Sequence, residues 1–146
     1  MGGNGTASVN GSIASSERQY VSHGTYHDPV YGDIEIVEWT GGDKNKSPEE
    51  SNSAPRMYVT FYKDGSGVNE IAKYGADHKK EWAIHTQPHN SKKAQKKGEA
   101  IDGPHIHRWE NGRALKPERF SPNDPRIALL QRVQNFQKTK NNHVEK

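Results

Sequence analysis

The sequence predicts an α+β domain: a small antiparallel meander sheet, a C-terminal helix packed on it and a flexible N-terminal arm. Three observations predict it. β-Branched and aromatic residues gather in short runs separated by Gly, Asp and Asn reversals. A stretch near the C-terminus carries apolar residues at helical spacing behind a capping sequence. The first residues are mostly Gly, Ser, Asn and Ala. A chain of 146 residues has room for one core. Ile, Leu, Val and Phe supply only 22 of those residues, so that core is small and much of the chain stays solvated. A net charge of +3 is too low for a wholly unfolded chain. The domain is therefore expected over residues 20–140, between an arm at 1–19 and a flexible tail at 141–146.

Each element has its own warrant. Residues 1–19 hold only Val9 and Ile13 as large apolar groups, too few to offset the cost of ordering backbone. His23 and His27 read as exposed loop histidines without a carboxylate partner. Within Tyr31 to Trp39, alternation places Ile34 and Ile36 on one face and Asp33 and Glu35 on the other, the mark of a half-buried strand. Gly41 to Pro55 is rich in Gly, Asp, Asn, Ser and Pro and reads as a mobile surface loop. Met57 to Tyr62 is a second strand, reversed by Lys63-Asp64-Gly65-Ser66-Gly67 and returned by Val68 to Tyr74. After the turn at Gly75 to His78, Glu81 to His85 continues the meander, with Trp82 and Ile84 on one face and His85 on the other. Residues 86–104 form a polar loop, and His105 to Trp109 adds a short strand. Asp124 can cap a helix with Pro125 in its first turn, and Ile127, Leu130, Val133 and Phe136 give that helix an apolar stripe. With so few aliphatics, Trp39, Trp82 and Trp109 are expected to serve as core volume.

Charge and composition bound the chemistry. The pI is near 9.0 and lysines gather at Lys79, Lys80, Lys92, Lys93, Lys96 and Lys97, a pattern that attracts an anionic partner, nucleic acid first among them. The same lysines also serve simply to keep a weakly hydrophobic chain dissolved. No cysteine is present, which excludes disulfides and thiolate ligands. No apolar run approaches the roughly 20 residues that span a bilayer, and the first residues lack a basic and apolar secretion signal, so a cytoplasmic location without membrane contact is expected.

The feature that points to chemistry is the crowding of five of the eight histidines between residues 78 and 107. His105 and His107 are two apart on a strand, so both imidazoles project from one face while Ile106 enters the core. A bare H-x-H is often no more than two surface histidines. Addition of His85 and His89 supports two chemical readings. In the first, metal-independent RNA cleavage, one histidine deprotonates the ribose 2′-hydroxyl, a second protonates the departing oxygen, and a cation stabilises the phosphorane. His85, His105 and His107 are the candidate base and acid. Lys80, Lys79 or Arg108 supplies the charge, and the remaining lysines bind the nucleic acid. This reading needs no cofactor and assigns no metal ligand. In the second, His85, His89, His105 and His107 with Asp77 or Asp102 hold a zinc-like ion. Pro88 breaks the helix that would pair His85 with His89, and Thr86 and Gln87 leave no glutamate base between them, so a metalloprotease arrangement is not supported. Glu49, Glu50 and Glu118 read as surface charges. A third reading is non-enzymatic: binding of nucleic acid or a protein through the lysine-rich loop.

Several short motifs carry a resemblance: Met1-Gly2-Gly3-Asn4-Gly5, Arg56-Met57-Tyr58-Val59-Thr60, Ile71-Ala72-Lys73-Tyr74, Gln87-Pro88-His89 and Gly103-Pro104-His105-Ile106-His107. Over most of its length and in this order, the chain resembles a group of small Gram-positive phage and prophage proteins often encoded near head-morphogenesis genes. Its layout is also similar to the histidine-bearing nuclease domains of polymorphic toxins, in which His85, His105 and His107 would take the corresponding places. The first resemblance implies a phage head component as a possible partner. The second implies RNA as substrate and an immunity protein as partner.

Overall fold

The computed structural model describes residues 19–52, 56–88 and 91–144, so most of the expected arm, together with His89, lies outside the described residues. The strands are β1 (Tyr20–Asp28), β2 (Gly32–Trp39), β3 (Arg56–Phe61), β4 (Val68–Tyr74), β5 (Lys80–His85), β6 (His105–Glu110) and β7 (Arg113–Ala114). The helices are α1 (Lys92–Lys96) and α2 (Pro125–Val144). All seven strands form one sheet in chain order. Every pairing is antiparallel except β2 with β3, which run parallel. The α+β class holds, and the meander runs from β3 through β7.

Three elements depart from the sequence reading. Residues 20–28, expected as loop, are strand β1, which pairs along β2 and carries His23 and His27 at exposed positions. Both histidines have carboxylate partners after all: His23 Nε2 lies 2.8 Å from Glu38 and His27 Nδ1 lies 2.6 Å from Asp33. A bulge between Ser22 and Thr25, where Gly24 takes φ +104°, interrupts the alternation that would have marked the strand. Inside the polar loop after β5, Ser91 caps the single turn of α1 by accepting from the Ala94 amide. Helix α2 runs well past Phe136, to Val144.

The sheet is buried on both faces, by different means. Helix α2 covers one with Leu129, Leu130 and Val133 against Ile34, Ile36, Met57, Val59, Ile71 and Ile84, and Phe136 meets Tyr26 at 5.0 Å between ring centroids. The other face carries Tyr20, Val37, Tyr58, Ala72, Tyr74 and Ala83, with Trp39 and Trp109 half-buried beside them. Its cover includes residues 45–52, part of the segment expected as a mobile loop. Tyr20 Oη donates to the Lys46 carbonyl at 2.7 Å, Tyr74 Oη to the Pro48 carbonyl, and Tyr58 Oη to Asn52 Oδ1 at 2.9 Å. The Ser51 amide and carbonyl both bond to His78, at 2.8 Å. Tyrosine hydroxyls reaching up from the sheet thus order a strap whose own composition has no periodicity. Because Tyr74 is wholly buried, Tyr74→Phe leaves the Pro48 carbonyl without that donor. It is expected to cost about 1–2 kcal/mol in urea unfolding and to raise hydrogen exchange in residues 45–52 first. Among the described residues no helix is long and apolar enough to cross a membrane.

Candidate active site

The pairing of β4, β5 and β6 builds the site on the strap-covered face. His85 stands opposite Glu70 on one side and His105 on the other, so three polar residues form a row across three neighbouring strands. One step along β6, His107 stands opposite Ala83. The small side chain there leaves room for the imidazole, and the His85 and His107 rings approach to 4.1 Å between centroids. His105 is 5.8 Å from His85 and 4.8 Å from His107 on the same measure. Ile84 and Ile106 point through the sheet into the helix-side core and hold both strands in register. The strand parity read from the sequence therefore brings all three histidines together.

Their environments differ. His105 is buried, with 1% of its surface exposed, whereas His85 and His107 are half-exposed. Since a carbonyl can only accept, His105 Nδ1 donates to the Gly103 oxygen at 2.9 Å, which fixes its tautomer. Its Nε2 lies 3.0 Å from His107 Nε2, so between two neutral rings the proton of that bond comes from His107. His85 Nε2 lies 3.2 Å from Glu70 Oε2. Burial alone would raise the Glu70 carboxyl. Here the bond from His85 and the charge of Lys80 outweigh it and hold Glu70 down to about 2, ionised at neutral pH. Lys80 Nζ sits 3.3 Å from the same oxygen, and the Ser47 amide reaches Oε1 at 3.3 Å. With its Nε2 proton committed to Glu70, a neutral His85 carries its lone pair on Nδ1.

Beside this cluster lies an open groove of about 370 Å³ lined by Glu49, Glu50, Lys79, Lys80, Trp109 and Gly112. It adjoins the histidines through Lys80 and Trp109. Lys80 Nζ is 5.5 Å from the centre of the Trp109 ring, which itself lies 6.3 Å from the His107 ring. Of the residues proposed from sequence, His85, His105, His107 and Lys80 converge, and Lys79 lines the groove. Lys92, Lys93, Lys96 and Lys97 are exposed on and just after α1, in the β5–β6 connection. Arg108 does not join them. It shares a face with Ile106 and Trp82, opposite to the histidines, and pairs there with Glu118, its Nε 2.9 Å from Oε2.

One residue of the candidate site escaped the sequence reading. Glu70 follows Val68 and Asn69 with the parity of Ala72 and Tyr74, and a carboxylate at an inward position of a strand was the signal that could have found it. The three histidines also offer one ring nitrogen each within 4.8 Å of the others, a possible metal-ligand set. Neither Asp77 nor Asp102 belongs to it; both are exposed, and Asp77 Oδ1 accepts from the Lys79 amide at 3.0 Å. Comparison of the chain with protein-family models, with curated proteins and with solved structures gives no match.

Proposed function

We propose that this protein cleaves RNA by metal-independent transfer of the phosphodiester to the adjacent 2′-hydroxyl, in the manner of a toxin nuclease acting in the cytoplasm. The observation that carries the reading is the pair of half-exposed imidazoles, His85 and His107, with ring centroids 4.1 Å apart, next to a groove whose lining includes Lys80 and Trp109. His85 takes the 2′-hydroxyl proton, and the imidazolium so formed is stabilised by ionised Glu70. O2′ bonds to phosphorus, the bond to O5′ breaks, and His107, acting in its imidazolium form with Nε2–H held by His105, delivers its Nδ1 proton to O5′ and is left neutral. Lys80 offsets the charge that builds on the phosphorane. Buried His105 touches no substrate; it holds His107 in place and is a positioning residue. Trp109 gives one base a surface for stacking, and Lys79 with the lysines of the β5–β6 connection attracts the backbone.

Incubating the full chain with single-stranded RNA in excess chelator tests this. The expected products end in 2′,3′-cyclic phosphate and 5′-hydroxyl, and DNA of the same sequence stays intact because it lacks the nucleophile. Cleavage that disappears with chelator and returns with added metal would replace the acid–base route by a metal-dependent one. RNA binding without cleavage would leave the non-enzymatic reading, in which the basic loop recruits nucleic acid or a phage head component.

A further inference from the structure

We infer that His85, His105 and His107 also form a three-nitrogen site for a divalent d-block cation of the zinc or cobalt kind. Their donor atoms lie within 4.8 Å of one another, and His105 Nε2 and His107 Nε2 are 3.0 Å apart. Two imidazoles sharing a tetrahedral ion at about 2.0–2.1 Å stand about 3.3 Å apart, so this pair is already near ligand spacing and His85 needs a small rotation to close the set. The remaining nitrogens are used as metal-bound histidines use theirs. His105 Nδ1 is tied to the Gly103 carbonyl and His85 Nε2 to buried Glu70, contacts that orient rings and fix which nitrogen faces the ion. Because β5 lies between β4 and β6, His85 stands between Glu70 and His105 in the cross-strand row, and Nδ1 is the nitrogen that its bond to Glu70 leaves for an ion.

The donor chemistry selects the ion. Three imidazoles and no thiolate favour zinc, cobalt, nickel or copper over magnesium or calcium, which take oxygen ligands. Glu70 and Lys80 flank the site on one side, Glu70 Oε2 lying 3.2 Å from His85 Nε2 and 3.3 Å from Lys80 Nζ. One ligand is buried and two are half-exposed, which leaves the remaining coordination position toward solvent, as in sites with three protein ligands. Metal binding follows from this geometry whether or not the protein cleaves RNA. A consequence that does rest on the cleavage reading is inhibition, since a bound ion occupies the ring nitrogens that proton transfer uses.

The test is titration of the chelator-stripped, dialysed full chain with Co(II), followed by its visible absorption, and equilibrium dialysis against Zn(II) for stoichiometry. One saturable ion per chain is expected, lost in both His85→Gln and His107→Gln and retained in His23→Gln and His27→Gln. The last two remove the surface histidine–carboxylate pairs, the competing places for a loosely held ion. Absence of saturable binding, or binding lost only in the His23 or His27 variants, overturns the site; circular dichroism confirms that each variant is folded. Bound zinc that leaves RNA cleavage unchanged would count against the acid–base mechanism and not against the metal site.

Discussion

Alanine at His107 is expected to lower RNA cleavage by about 10²- to 10⁴-fold while leaving the fold intact, and alanine at His85 to do the same. Both side chains are half-exposed, so neither substitution opens a cavity in the core, and the adjoining core residues Ala83, Ile84 and Ile106 keep their packing. Single-turnover rates with saturating RNA isolate the chemical step, and thermal unfolding monitors the fold. Lys80→Ala should give a smaller, graded loss, because a cation that stabilises charge is partly replaced by solvent and by Lys79 in the same groove. Arg108→Ala should change the rate little, since that side chain lies on the far face with Glu118. His105→Gln separates positioning from chemistry: kcat falls through misplacement of His107 while KM for RNA stays near its original value. Unchanged cleavage in His107→Ala would remove that residue from the mechanism. Equal losses in Arg108→Ala and Lys80→Ala would mean that the rates report general charge rather than this cluster.

Strand parity explains why so much of the cluster was legible. In β5 and β6 the core positions alternate cleanly with polar ones, and Ile84 and Ile106 fix which way His85, His105 and His107 must point. Arg108 has the parity of Ile106, so the same rule places it on the face opposite the histidines, although composition alone keeps it among the candidate cations. The start of α2 was visible because Asp124, Pro125 and a helical stripe agree with one another; Leu129, wholly buried, belongs to that stripe although the spacing read from Ile127 passed over it. What could not be read depends on distant contacts. Strand β1 hides behind a bulge at Gly24, and the strap at 45–52 owes its order to tyrosines on other strands. The parallel pairing of β2 with β3 likewise depends on where that strap lies, which no local pattern encodes.

Removing the guanidinium of Arg132 is expected to cost about 3 kcal/mol at neutral pH, because it leaves a carboxylate stranded inside the protein. The Asp28 side chain has no exposed surface. It accepts from Arg132 Nε at 2.8 Å and from a second guanidinium nitrogen at 3.0 Å. Tyr26 Oη at 2.8 Å and the amides of Val30 and Tyr31 at 3.0 and 2.9 Å complete its shell. Arg132 is on α2 and Asp28 ends β1, so the pair joins the helix to the hairpin that it covers, across 104 residues of sequence. Burial would raise this carboxyl, yet the bonds from Arg132, Tyr31, Tyr26 and Val30 outweigh it and hold the group well below the ordinary carboxylate range. A carboxyl depressed on folding contributes stability that is fully present above its unfolded value, near 3.8, and that is lost as pH falls from there through the folded value. In Arg132→Ala the folded value rises, so the gap from the parent is widest near neutral pH and narrows as pH falls below that raised value, because the variant's stranded carboxyl takes up a proton before the parent's does; the unfolded carboxyl is common to both and cancels. Urea unfolding at neutral pH and near pH 3 measures both gaps. Arg132→Lys should fall between parent and alanine variant, since an ammonium keeps the charge but cannot span both oxygens of Asp28 in the guanidinium's planar fashion. A gap of the same size at both pH values would show that Arg132 contributes by packing its stem against the hairpin, not by compensating the buried charge.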